Sequence, residues 1–280
     1  MDPTMRIQAA DGTALQLAQW PASSAARGTV LVVHGLGEHA GRYAWLAVQL
    51  NEATWNVAAF DLRGHGRSQG AQGAMPAADS MLKDLAQVID QVRAQHDGPL
   101  VLLGHSMGGL ISARFVAEAL AASPASWSRP VDALVLSSPA LDVGMNVFQK
   151  ILLVLGSLAP DRAVGNGLKP AWVSRDPAVV RAYMADPLVH DRITPRLAQF
   201  FVDAGAAVQE RAPRWTTPTL LLWAGADRCV APRGSAAFAT AAPASVVQAR
   251  CFEPLFHEIF NEPEKADVAA ELLSWLSQRP

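Results

Sequence analysis

The chain has 280 residues, half of them hydrophobic and 17% charged, with a formal net charge of −2. That balance supports a sizeable core and excludes a disordered chain. Without a basic run, the electrostatic footprint of a nucleic-acid binder is excluded too.

Residues 5–20 read as two short strands around Asp11-Gly12, a hairpin signal. The apolar run Thr29–Val33 predicts a buried strand ending at His34-Gly35. A helix is expected at about 42–53, then a strand Val57–Phe60 ending at Asp61. The next helix, about 79–96, follows from Leu82, Leu85, Val88, Ile89 and Val92 at helical spacing. A strand Leu100–Leu103, a sharp turn, a helix at about 107–122 and a strand Ala133–Leu136 come next. Apolar strands alternating with helices predict a parallel sheet covered on both faces. The alternation stops over 141–212, where Gly and Pro breaks separate helical stretches without a clear strand. It resumes with a strand Leu220–Trp223, a helix near 233–241, a strand Val246–Phe252 and a last helix near 264–278. The expected fold is an α/β core of about eight mostly parallel, twisted strands, residues 1–140 and 213–280. A helical cap at 141–212 interrupts it.

Gly104-His105-Ser106-Met107-Gly108 forms a G-x-S-x-G pattern between an apolar strand and a helix. In such a turn, strand and helix approach so closely that only small residues fit two places either side of the serine. The hydroxyl is lifted above the sheet, and the N–H groups at the helix start face developing negative charge. Ser106 is therefore the expected nucleophile. A serine hydroxyl needs a base, and the partners follow in the order serine, acid, histidine. Among seven histidines, His34 and His105 adjoin the glycine turns, His39 and His65 precede the serine, His96 ends a helix and His190 lies in the insertion. Only His257 follows the last predicted strand, where a base can overhang the sheet. Asp142 and Asp227 both follow strands and compete to orient it. Asp227 is preferred because its loop neighbours the histidine loop. The second oxyanion donor is expected in His34-Gly35-Leu36-Gly37, with the N–H groups of Leu36 and Met107 flanking the oxygen.

The same loop also reads Gly35-x-Gly37-x-x-Ala40 after a strand, and the next strand ends in Asp61. Alone, that is a dinucleotide-binding fingerprint. It leaves Ser106 and His257 without a role, so no cofactor and no metal are expected.

Taken together, His34-Gly-Leu-Gly-Glu-His39 with Arg42-Tyr43, Asp61-Leu-Arg-Gly-His-Gly-Arg-Ser68 and Gly104-His-Ser-Met-Gly-Gly109 resemble the monoacylglycerol lipase and lysophospholipase group of α/β-hydrolases. Ser138-Pro139, Asp186-Pro187-Leu188, Gly225-Ala-Asp227 and His257-Glu258 continue the resemblance across nearly the whole chain. It implies the triad Ser106, Asp227 and His257, oxyanion donors Leu36 and Met107, and a cap admitting an acyl chain. It also implies an ester hydrolase acting on lipid-like monoesters, foremost monoacylglycerols. Lysophospholipids, thioesters and broader carboxylic esters are the alternatives; acyl transfer, peptide hydrolysis and non-catalytic binding are more distant ones. Glu38 and Arg42 are implied near the head-group end of the pocket, with a loop-stabilising ion pair as the competing role. Phe260 stands where better-known members carry a second histidine, which alters the polar end of the pocket.

The two cysteines, Cys229 and Cys251, are too few for a disulfide framework and lack metal-ligand spacing, so a reduced, cytoplasmic setting is expected. Both flank the proposed site. The N-terminus, MDPTMRIQAADG, lacks signal-peptide character, and no segment reaches the ~18 apolar residues of a membrane span. The apolar run Val147–Leu158 suggests that the cap meets a lipid surface from the water side, with burial or a dimer contact as alternatives.

Overall fold

A computed structural model describes residues 5–144, 156 and 158–278. Eight strands form one twisted sheet: β1 Met5–Gln8, β2 Ala14–Trp20, β3 Thr29–Val33, β4 Asn56–Phe60, β5 Leu100–His105, β6 Ala133–Ser137, β9 Thr219–Ala224 and β10 Val247–Phe252. The spatial order is β1-β2-β4-β3-β5-β6-β9-β10. Strands β1 and β2 pair antiparallel, as the Asp11-Gly12 hairpin requires, and β2 runs antiparallel to β4. All other pairings are parallel. Of the parallel strands, β3, β4, β5, β6 and β9 are nearly continuous buried runs because both faces are covered, whereas the edge strand β10 exposes Gln248, Ala249 and Arg250.

One face carries α1 (Ala44–Glu52) and α7 (Lys265–Ser277), whose Leu46, Leu50, Leu272 and Trp275 pack with Val30, Val32, Val101 and Leu220. The other carries α2 (Ser80–Gln95), α3 (Met107–Glu118) and α6 (Pro232–Ala241), packed on Leu31, Leu102, Leu134 and Leu221. Helix α3 stops at Glu118, earlier than its expected end, and the first helix of the chain starts with a 3-10 turn at Ala40–Tyr43.

Between β6 and β9 lie α4 (Pro177–Ala185), α5 (Pro195–Arg211) and an antiparallel ladder of two residues per strand, β7 (Val164–Gly165) with β8 (Arg192–Ile193). The ladder adds a short strand pair to an insertion read from sequence as helical and without a clear strand. Its residues are short, partly exposed and without alternation, so no period announces them. Proline at N1 starts both helices, and Asp176 and Thr194 cap them through Ala178 N–H and Leu197 N–H. Helix α5 buries Leu197, Phe200, Phe201, Ala204 and Val208 in the core beside α3. The end of the insertion is thus continuous with the core. Of the apolar run Val147–Leu158, only Gly156 and Leu158 lie within the described residues.

Candidate active site

The parallel strands direct their carboxyl ends, and the loops that follow, to one edge of the sheet. Adjacent β3 and β5 bring the loop after Val33 beside the turn after His105. Adjacent β9 and β10 do the same for the loops carrying Asp227 and His257. Neighbouring strands thus assemble residues far apart in sequence.

Ser106 holds φ +53° and ψ −117°, a strained conformation for a non-glycine residue. The strain comes from the strand-to-helix crossing. A Cβ on Gly104 would meet Gly108 O at 2.4 Å, and one on Gly108 would meet Val33 O at 2.0 Å. Both glycines are thus steric requirements of the turn. Helix α3 begins at Met107, so the Met107 N–H has no partner within the helix. Leu36 and Ser106 line the same cavity.

His257 Nδ1 donates to Asp227 Oδ2 at 2.6 Å. A carboxylate only accepts, so the proton sits on Nδ1 and Nε2 is left free as a base. The other Asp227 oxygen accepts from Cys229 N–H at 2.7 Å and Val230 N–H at 3.1 Å. Burial pushes the Asp227 carboxyl up, but His257 and these two N–H groups outweigh it and hold it below the usual range. Burial likewise disfavours the His257 cation; the Asp227 carboxylate, then Glu258 and Glu38, reverse this and raise it above the ordinary histidine value of 6.5. The rival Asp142 is engaged elsewhere, accepting from Arg233 Nε at 2.6 Å and Gly144 N–H at 2.6 Å. Ser106 and His257 share one cavity wall. Among the described residues no hydrogen bond joins them; such bonds often tighten only with substrate.

The other histidines have local roles. The His105 ring lies 4.8 Å from that of His257, and burial, then the charge of His257, depress it to about 3, so it stays a neutral spacer. His34 accepts from Leu62 N–H at 2.9 Å through Nε2. His39 Nε2 pairs with Asp186 at 2.8 Å, and the His190 backbone N–H donates to Gly37 O at 3.0 Å, both tying the insertion to the loop after β3.

The Glu38 carboxylate has every neighbour a structural pin would have. Its Oε1 accepts from Gly35 N–H at 2.6 Å and Tyr43 OH at 2.8 Å, and its Oε2 from Arg42 at 2.9 Å. Burial pushes it up, yet Arg42 and the nearby histidines bring it down to about 2. Arg42 also bonds Glu258 at 2.5 and 2.7 Å. Glu38 and Glu258 line the cavity while Arg42 lies behind them. Phe260 is buried against the core and borders a void of about 10 Å³ with Glu38, Tyr43, His105, Glu258 and Asn261. It is not among the residues that line the cavity containing Ser106.

Two spaces meet at Ser106 and Leu36. One, of about 360 Å³, is lined by Glu38, Asp186, His257 and Glu258 together with Val173, Met184 and Val189. The other, of about 320 Å³, is lined by Val143, Trp172, Ile193 and Phe201 together with Asn166 and Arg228. Cys229 borders both; burial and Asp227 push its thiol well up. Cys251 lies on edge strand β10, where burial and Glu253 push it up to about 11. Ligand-type atoms of Asp227, Cys229 and His257 lie within 4.8 Å of one another. The Asp227–His257 hydrogen bond already occupies that grouping. The dinucleotide reading meets a geometric obstacle: Asp61, needed there for a ribose, instead accepts from Ala40 N–H and Arg67 N–H, each at 2.8 Å.

The family model described as serine aminopeptidase, S33, matches residues 24–264. The chain is 36% identical over 262 residues to a monoacylglycerol lipase of Mycolicibacterium smegmatis, covering 92% of this chain and 90% of that one. It is 31% identical over 273 residues to an uncharacterized abhydrolase domain-containing protein of Dictyostelium discoideum. That match covers 96% of this chain but only 28% of the longer relative. The crystal structure of a Paleococcus ferrophilus monoacylglycerol lipase superposes with a TM-score of 0.83 at 34% identity, over 94% of this chain and 98% of that one. With sheet order, strained serine turn and chain-long similarity in agreement, the chain belongs to the serine aminopeptidase S33 family and is a monoacylglycerol-lipase-like α/β-hydrolase.

Proposed function

We propose that the chain hydrolyses monoacylglycerols through Ser106, His257 and Asp227. The observation that carries this reading is the 2.6 Å His257–Asp227 bond on the same cavity as the strained Ser106. His257 Nε2 takes the Ser106 proton as the oxygen attacks the ester carbonyl. The tetrahedral oxygen rests on the N–H groups of Leu36 and Met107. The C–O bond to glycerol then breaks, glycerol leaves with the proton from His257, and water repeats the sequence to release the fatty acid. The space beside Val143, Ile193 and Phe201 takes the acyl chain, and the space bounded by Glu38 and Glu258 takes the glycerol. Residues 141–212 act as a cap over both. No metal or organic cofactor takes part in these steps.

A second reading, an aminopeptidase, is favoured by the carboxylates of Glu38, Asp186, Asp191 and Glu258 around the cavity. Arg42 already neutralises the first and last of these, and His39 pairs with Asp186. A panel of monoacylglycerols, lysophospholipids, short nitrophenyl esters and aminoacyl nitroanilides tests the choice. Monoacylglycerols are expected to give the highest kcat/KM. Preference for the nitroanilides, lost on acetylating their amine, would establish the peptidase instead.

No helix among the described residues is long and apolar enough to cross a membrane. Leu158 and Met184, 87% and 69% exposed, and the exposed Val164 and Leu168 give the cap apolar side chains in solvent. The cap rests on lipid surfaces through them. The protein is expected to co-sediment with phosphatidylcholine vesicles, and the double variant Leu158→Asp, Val164→Asp, at two exposed positions away from the cavity lining, to stay in the supernatant with unchanged turnover of a short soluble ester. Equal sedimentation of both proteins would remove the membrane contact.

A further inference from the structure

His257 sits in a loop whose anchors lie in the cap. After β10 the chain turns, passes Phe256-His257-Glu258 and enters a short 3-10 turn at Ile259–Asn261. The peptide N–H groups on both sides of His257 are held. Glu258 N–H donates to Val173 O, in the cap, at 2.8 Å. Phe256 N–H donates to Glu262 Oε2 at 3.0 Å.

Glu262 is itself gripped by the cap. It is 1% exposed. Its Oε2 accepts a second bond from Arg175 Nε at 2.5 Å. Its Oε1 accepts from Ser174 Oγ at 2.6 Å and Arg175 N–H at 2.5 Å. Arg175 also bonds Glu264, just beyond. Each carboxylate oxygen thus carries two bonds, three of the four coming from cap residues 174–175. A buried carboxylate with all its acceptor sites filled is a rigid connector, because losing any donor leaves charge uncompensated. Nothing in the chemical steps requires Glu262.

We propose that Glu262 is a positioning residue: it transmits the seating of cap segment 173–175 to the backbone of His257, so that the base is aligned when the cap is docked. The proposal rests on the triad reading above. A displacement of 1 Å at a catalytic group can cost about 100-fold in rate, so the effect falls on kcat rather than on KM.

Glu262→Ala removes all four bonds and is expected to lower kcat about 100-fold with KM little changed. Glu262→Gln is expected to recover only part of the loss. Its amide oxygen can accept from Phe256 N–H and Arg175 Nε, while its NH2 reaches Ser174 Oγ but faces Arg175 N–H, donor against donor. Arg175→Ala loosens the connector from the cap side without touching the His257 loop. It is expected to lower kcat about 10-fold and to add little to Glu262→Ala. Rates are normalised to sites titrated with a fluorophosphonate, so that loss of folded protein does not count. If Glu262→Ala does not fold, Arg175→Ala decides alone. A normalised kcat at the wild-type value in Arg175→Ala, or full additivity with Glu262→Ala, would overturn the proposal. Turnover retained by Ser106→Ala would instead overturn the triad reading beneath it, a separate result.

Discussion

Ser106→Ala loses about 10⁴- to 10⁶-fold in kcat on any ester the wild-type enzyme accepts, while remaining folded. The size follows from the chemistry. Without Oγ no acyl-enzyme can form, and the oxyanion donors and bound geometry alone sustain only a small residual rate. Folding is spared because the turn is shaped by the close approach at Gly104 and Gly108 rather than by the hydroxyl. Alanine meets the same strain at φ +53° that serine does. Substrate binding is also expected to persist, since both cavity branches are intact. Measured kcat on a short nitrophenyl ester, with circular dichroism as the folding control, checks this.

Asp227→Asn is expected to cost about 10⁴-fold for a different reason. The Asp227 oxygens serve opposite sides: one receives His257 Nδ1–H, the other the N–H groups of Cys229 and Val230. Asparagine has one acceptor oxygen. Turned to the two backbone donors, it presents NH2 to His257 Nδ1, which must then accept. The proton moves to Nε2, the position that has to take the serine proton. The pH profile changes as well. His257 must be neutral to act, so kcat/KM rises with pH through its pKa, which lies above 6.5 in the folded enzyme. Removing the Asp227 charge removes the main influence that raises it. The acid limb of the residual activity is therefore expected at lower pH than in the wild type. A limb that stays in place would show that Asp227 does not orient this base.

The sheet and its serine turn could be read from sequence because each rests on a local constraint. Buried parallel strands such as Thr29–Val33 and Leu100–His105 must be continuous apolar runs, and the crossing at Ser106 excludes side chains at Gly104 and Gly108. The choice of His257 followed from chain order, and that of Asp227 over Asp142 from adjacency of β9 and β10. Interactions across the cap offered no such signal. Glu262 and Arg175 are ordinary charged residues distant in the chain, and only packing makes them partners. The same holds for His39 and Asp186. The ladder of β7 and β8 is too short for alternation to show. For Glu38 the sequence leaves two roles open, and the fold gives it the contacts of both: three donors hold its carboxylate in the loop after β3, and it lines the cavity. Phe260 marks a departure from the family's motif, but only the fold shows it buried in the core, bordering a small void shared with Glu38 and Glu258.

The central claim is that Ser106 is the nucleophile that becomes acylated. Its most direct test is mass spectrometry of the protein after reaction with a fluorophosphonate, with peptide mapping of the adduct. One equivalent of label on Ser106, prevented by an excess of monoacylglycerol and absent from Ser106→Ala, is the predicted result. Label on another residue, or complete loss of activity with Ser106 unmodified, would contradict it.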